Sequence, residues 1–236
     1  MRAPPKGAFI EERPRVRRAL IVDDHPIVRL GLRCIIENEH DLAVCGETER
    51  AGDTRAAIHD LIPDVLICEI SLRHGDGIEL VRHVRAHLPR LPILVLSALD
   101  EAIYAERMLS VGASGYIMKQ APSGEFLVAL RRVLDGNVYV SDAVGNNMLR
   151  KYSAGGSYAS ADPIDRLSNR ELQILLMIGK GMSTRDAADS LHLSVKTVES
   201  HRQHIKRKLN LKSSTQLVRY ALLAHSGVAL ELLEED

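Results

Sequence analysis

The sequence predicts two domains of different class: an α/β domain built on a doubly wound, five-stranded parallel sheet, then an all-α domain of short helices. Three observations carry this. Five short apolar runs alternate with five amphipathic stretches between residue 17 and about residue 138. The runs lack a polar alternate, as strands buried on both faces do. Beyond a Gly/Ser/Ala-rich break, only short helical patterns remain.

The apolar runs are Ala19–Val22, Leu42–Cys45, Val65–Ile70, Ile93–Leu96 and Tyr116–Met118. Amphipathic stretches lie near 26–38, 53–61, 77–88, 101–111 and 123–135, with Leu80, Val81, Val84 and Leu88 at helical spacing in the third. Five such repeats with short connections imply parallel strands crossed over by helices. Residues 137–149 are expected to cap this domain and to be partly helical. The boundary is set at 141–164, where RKYSAGGSYASADPI (150–164) reads as a flexible linker. Four helices are expected after it: Asn169–Gly179 with Ser168 as N-cap, Ser183–Leu191 opened by a Ser183/Asp186 capping box, Ser194–Leu209, and Ser213–His225. Residues 165–230 form this second domain, 17–140 the first, and 1–16 a disordered basic leader.

Composition excludes several classes. With no Trp and 3% aromatics the cores must be aliphatic. No apolar run approaches the ~20 residues of a membrane span, and the N-terminus lacks a signal-peptide core. These features point to the cytoplasm. Cys34, Cys45 and Cys68 fit neither a zinc nor a disulfide spacing and read as small apolar residues. Net charge is zero, but Pro163–Leu230 holds eleven Lys/Arg against five acids. That asymmetry points to nucleic acid.

Open parallel sheets place their sites beyond the carboxyl ends of the strands. There stand Asp23 and Asp24 after the first run, Glu69 in the third, Ser97 after the fourth and Lys119 after the fifth. Three acids in one pocket repel one another and invite a divalent cation; oxygen ligands suit Mg²⁺. Asp23, Asp24 and Glu69 are its candidate ligands. No nucleotide-binding glycine loop or second nucleophile accompanies the cluster, so an enzyme is not expected.

The stretches IVDDHPIVRLGL, PDVLICEI with DGIEL, LVLSAL and GASGYIMKQ resemble the receiver domain of two-component response regulators. The resemblance implies a flavodoxin-like, CheY-like fold. It makes Asp23 and Asp24 metal-binding acids, Ser97 the hydroxyl that senses a phosphoryl group, and Lys119 its pairing cation. Tyr116 matches the aromatic that turns inward on activation. Two positions depart from the pattern. Glu69 stands where the phospho-accepting aspartate belongs, and Arg73 replaces a proline in the following loop. Asp64 begins its strand, at the wrong end of the sheet, and Asp76 reads as a helix cap. Glu69 carries one more methylene than Asp, so its carboxylate reaches about 1.5 Å further. It brings one charge where a phosphoryl group brings about −1.5 to −2, a partial mimic. The alternatives are a degenerate site on a dimerisation scaffold, or a receiver answering a partner protein or small ligand.

LSNRELQILLMIGKGMSTRDAADSLHLSVKTVESHRQHIKRKLNLKS, within 167–224, resembles the helix-turn-helix domain of NarL/FixJ (LuxR-type) regulators. In its third helix, Val195, Val198, Ile205 and Leu209 form an apolar stripe opposite a charged face. Lys196, Thr197, Arg202, Lys206, Lys208 and Lys212 are candidate phosphate contacts. Glu199, Ser200 and Gln203 match positions that face base edges. His201 and His204 lie three apart with no third ligand type near them in sequence, so backbone or phosphate contact is expected. Leu217, Tyr220, Ala221 and Ala224 stand at helical spacing in the fourth helix, some of them to pack on the core, and the resemblance implies that this helix also forms the dimer contact. The resemblance implies a homodimeric transcription regulator that binds double-stranded DNA, with a sensor kinase or other signalling partner upstream. An interaction module that does not bind DNA is the alternative.

Overall fold

A computed structural model describes residues 15–153 and 163–226. The leader up to residue 14, most of the Gly/Ser/Ala-rich linker and the ELLEED tail lie outside the described residues.

Five parallel strands form one sheet: β1 (Arg17–Val22), β2 (Leu42–Thr48), β3 (Val65–Cys68), β4 (Ile93–Ser97) and β5 (Gly115–Met118), in the order β2-β1-β3-β4-β5. The crossovers are α1 (Pro26–Glu37), α2 (Ala51–Leu61), α3 (Gly77–His87) and α4 (Glu101–Val111), and α5 (Ser123–Leu134) follows β5. Strands β1, β3 and β4 are central and bury runs of aliphatic side chains, as the unalternating sequence requires.

β2 departs from the expectation. It is longer than its apolar run, continues through Gly46, Glu47 and Thr48, and is half-buried along most of its length. An edge strand has one free flank and needs no double burial. β5 lies at the other edge, where Tyr139 is hydrogen-bonded to Ser114 and Tyr116 and covers it. An unpaired edge would otherwise offer its backbone to another chain.

Part of the segment read as linker is helical. α6 (Asp142–Ser153) packs on α4 and buries Val144. A partly helical cap was expected over 137–149, and the helix runs four residues further, into the Gly/Ser/Ala-rich stretch. A 3₁₀ turn at Pro163–Arg166 then leads into α7 (Asn169–Gly179), α8 (Thr184–Ser190), α9 (Val195–Lys208) and α10 (Ser214–Ser226). Capping boxes open α7 (Ser168 with Glu171) and α8 (Ser183 with Asp186), and the Ser194 hydroxyl accepts from the Thr197 N–H at the start of α9. The Ser183 hydroxyl and backbone N–H hold the Asp186 carboxyl below its ordinary range.

α7 is buried nearly all round: Asn169, Glu171, Leu172, Gln173, Ile174, Leu175, Leu176 and Ile178 are all enclosed. One side packs on α9 and α10. The N-terminal turns lie against the loop between β3 and α3. Buried side chains of both domains therefore form one continuous cluster.

Candidate functional site: an acidic pocket coupled to a basic helix

Strand geometry delivers the expected residues to one edge. β1, β3 and β4 are in register, so Asp23 and Glu69, just past β1 and β3, and Ser97, the last residue of β4, come together at the carboxyl edge. Lys119 follows β5, its N–H donating to the Ser97 carbonyl at 2.8 Å. Asp23 and Glu69 are each 2% exposed and Ser97 is fully buried, so ionised groups here need partners.

Glu69 is fully engaged. Its Oε1 accepts from the Ser97 hydroxyl at 2.6 Å and from the Ser71 N–H at 2.8 Å. Its Oε2 lies 2.8 Å from Lys119 Nζ, which also contacts Asp23 Oδ2 at 2.6 Å. Burial works against the Lys119 ammonium, but Glu69 and Asp23 outweigh it and hold its pKa above the ordinary value. Tyr116 is buried beside Ser97 and donates its hydroxyl to the Leu99 carbonyl at 2.8 Å. Burial pushes that phenol well above its usual range.

The two aspartates also share a histidine. His25 Nδ1 lies 3.0 Å from Asp23 Oδ1 and 2.9 Å from Asp24 Oδ1. Arg73, in the loop after β3, donates its backbone N–H to Asp24 Oδ2 at 2.7 Å, and its guanidinium lies 3.6 Å away. Asp24 Oδ1 is buried without a well-directed hydrogen bond. A hard cation would satisfy such an oxygen, so Asp23 and Asp24 fit Mg²⁺. The Glu69 oxygens are directed to Ser97, Ser71 and Lys119 instead. Asp64 does lie at the amino end of β3, paired with Arg15, and Asp76 caps α3 by accepting from the Ile78 N–H. Gly77 presses on the pocket loop: a Cβ there would meet Ile70 Cα at 2.3 Å and the Glu69 carbonyl at 2.7 Å.

Contacts that sequence reading missed join this pocket to the second domain. Asn169 Nδ2 donates to the Ile70 carbonyl at 2.9 Å, and Gln173 Nε2 donates to Ser71 Oγ at 2.7 Å. Arg107 on α4 donates to the Leu167 carbonyl. Ser71 thus holds Glu69 through its N–H and Gln173 through its hydroxyl. The signal was present in the run Leu172, Ile174, Leu175, Leu176, Met177 and Ile178, which is apolar on every face. A helix of that kind needs more than one packing surface.

On α9, Val198 and Ile205 are buried, and Leu209 just beyond it, whereas Val195 of the expected stripe is 45% exposed in the first turn. Lys196, Glu199, Ser200 and Gln203 are exposed, as is Lys212 beyond the helix. Thr197, Arg202 and Lys206 are half-buried. Glu199 is steadied by the Thr184 hydroxyl at 3.0 Å. Lys208 turns inward to Glu171, 2.7 Å away. Glu171 also stands by the two histidines: His204 Nδ1 is 3.9 Å from its Oε1. A third ligand type therefore does lie near His201 and His204, brought by α7 from thirty residues upstream, where sequence spacing could not reveal it.

Among the described residues no helix is long and apolar enough to cross a membrane. Residues 19–131 match the response regulator receiver domain and 165–221 the bacterial regulatory proteins of the luxR family. The chain is 36% identical over 210 residues to the oxygen regulatory protein NreC of Staphylococcus epidermidis, covering 87% of this chain and 96% of the relative. The Staphylococcus aureus protein of that name is 35% identical over 209 residues, with the same coverage. Among solved structures, RcsB of Salmonella enterica serovar Typhimurium, bound to promoter rprA with phosphomimetic BeF₃⁻, superposes with a TM-score of 0.56. It is 28% identical, over 88% of this chain and 98% of that one. An RcsB–DNA complex gives 0.53 at 26% identity, over 89% and 98%. With both domains matched in order and a relative above one-third identity along nearly its whole length, the chain belongs to the NarL/FixJ (LuxR-type) family of DNA-binding response regulators.

Proposed function

We propose that this protein is a phosphorylation-independent transcription regulator, in which Glu69 occupies the place of the phosphoryl group and biases the receiver toward its active arrangement. The observation that carries this reading is the 2.6 Å bond from the Ser97 hydroxyl to Glu69, with Tyr116 buried behind it. Ser97 and Lys119 are the groups a phosphoryl oxygen would meet, and here they meet a carboxylate. The docked α7 leaves Lys196, Glu199, Ser200 and Gln203 exposed, so the DNA-facing side of α9 is open.

Asp23 and Asp24 would hold Mg²⁺, whose charge would offset the crowded acids. Output is binding to double-stranded DNA: Lys196, Thr197, Arg202, Lys206 and Lys212 on phosphates, and Glu199, Ser200 and Gln203 toward base edges. Val218 and Leu222, exposed one turn apart on α10, suit a homodimer contact. The protein acts in the cytoplasm and catalyses no reaction of its own. Contact of α7 with Ile70 and Ser71 favours one second reading, in which a partner protein or small ligand loosens that contact before DNA is bound.

The test is selection of genomic DNA fragments by the purified, unphosphorylated protein. A sharp dyad-symmetric motif is expected. Weak, salt-sensitive and sequence-blind binding would overturn the phosphate-independent reading in favour of the second.

A further inference from the structure

We propose that Glu171, His201 and His204 form a binding site for a late first-row divalent metal, Zn²⁺ foremost, that ties α9 to α7. One ligand atom from each lies within 4.8 Å of the others. Tetrahedral zinc at ~2.0–2.2 Å from nitrogen and oxygen ligands needs them only modestly closer, and a His₂Glu set leaves a fourth position for water. Mixed imidazole and carboxylate donors favour zinc and its neighbours over Mg²⁺.

The known contacts of these residues do not explain the cluster. Glu171 Oε2 already accepts from the Ser168 N–H and from Lys208, both at 2.7 Å. Its Oε1 faces His204. His201 Nδ1 is buried and has no hydrogen-bond partner, an arrangement that costs stability unless something binds there. Burial, with the nearby Arg170 and Lys208 charges adding to it, holds the His201 imidazole below its ordinary pKa despite Glu171. The unpaired His201 nitrogen is a candidate metal ligand by geometry. His204 is 46% exposed, which opens the site to solvent. Lys208 is the built-in competitor: a metal on Oε1 shares the carboxylate with its ammonium.

The consequence lies in output. His201 and His204 flank Arg202 and Gln203 on the DNA-facing helix, so a bound metal would fix that helix against α7, the same helix that docks on the receiver.

Titration calorimetry of the full-length protein with Zn²⁺, in excess Mg²⁺ to fill oxygen sites, tests this. One Zn²⁺ per chain is expected here. Removing even the hydrogen-bond partner of a metal ligand costs about 10–100-fold in affinity, so losing the ligand itself in His204→Gln should weaken binding at least about tenfold. His204 is exposed, so this variant should fold. Lys208→Gln should tighten binding, because the competing ammonium is gone. His25→Gln, in the receiver, should leave this event unchanged. Zn²⁺ should also raise the Tm of the wild type and not of His204→Gln. Equal zinc affinity in wild type and His204→Gln, or loss of binding in His25→Gln instead, would overturn the proposal.

Discussion

Glu69 is one methylene longer than an aspartate would be, and it uses that length in its contacts. It reaches Ser97 at 2.6 Å without any added group. Removing its charge while keeping its shape should release Lys119 to Asp23 and loosen Ser97. Glu69→Gln is therefore expected to weaken operator binding by about tenfold, close to 1.4 kcal/mol. Fluorescence anisotropy on the selected motif measures this, and unchanged affinity would show that the carboxylate sets no equilibrium. Glu69→Asp withdraws the oxygens by about 1.5 Å. It should lose the Ser97 bond and bind DNA weakly until a small acyl phosphate and Mg²⁺ are supplied. A phosphate-insensitive Glu69→Asp protein would mean the Arg73 loop no longer supports phosphoryl transfer.

Most of this site was legible because strand ends converge by rule: Asp23, Asp24, Ser97 and Lys119 lie where apolar runs stop, and Glu69 lies one residue before its run ends. His25 and Arg73 were not legible as partners. Each supplies an ordinary polar group whose importance comes only from the distance to Asp24.

Among elements, α7 carries the most information. Its capping box satisfies backbone N–H groups at both Ser168 and Glu171, so Ser168→Ala should cost about 1 kcal/mol, read as a lower thermal midpoint of the second domain. Gln173→Ala should free Ser71 and speed hydrogen exchange at residues 70–73 while leaving β1 protected. Exchange that does not change would show that α7 docking does not order the pocket loop. At the far end of the sheet, Arg131 on α5 clamps Glu39 and Asp41 ahead of β2. The Arg131 hydrogen bond holds the Asp41 carboxyl below its ordinary value against burial. A depressed folded pKa means the contribution is complete above the unfolded value and is lost as pH falls through the folded one. Arg131→Met should therefore return the Asp41 titration, followed by NMR, toward the ordinary range and shrink the acid-side loss of stability.

Helix limits were readable at this scale because caps are local: Ser168, Ser183, Ser194 and Asp76 act on residues two or three positions away. α6 was only partly so: a helical stretch was expected within 137–149, but its run on to Ser153 was not, since its stability comes from contact with α4.

At the scale of the whole molecule, the balanced net charge conceals an acidic-pocket domain joined to a basic one. Binding to DNA should show a log–log salt slope of several units, about −0.9 per phosphate neutralised. Because Lys208 is occupied by Glu171, Lys208→Gln should change that slope less than Lys196→Gln. A slope near zero would remove DNA from the function.

The order of elements, the two-domain division, the helix caps and the residues at the strand ends are determined by the sequence alone. They depend on periodicity and on chemistry within a few positions. Only the tertiary structure decides that Ser71 links Glu69 to Gln173, that Lys208 faces Glu171, and that Glu171 meets His201 and His204. Apart from Ser71 and Glu69, two positions apart, those pairs lie 30 or more residues apart in the chain, and no local preference encodes a distance that packing alone creates.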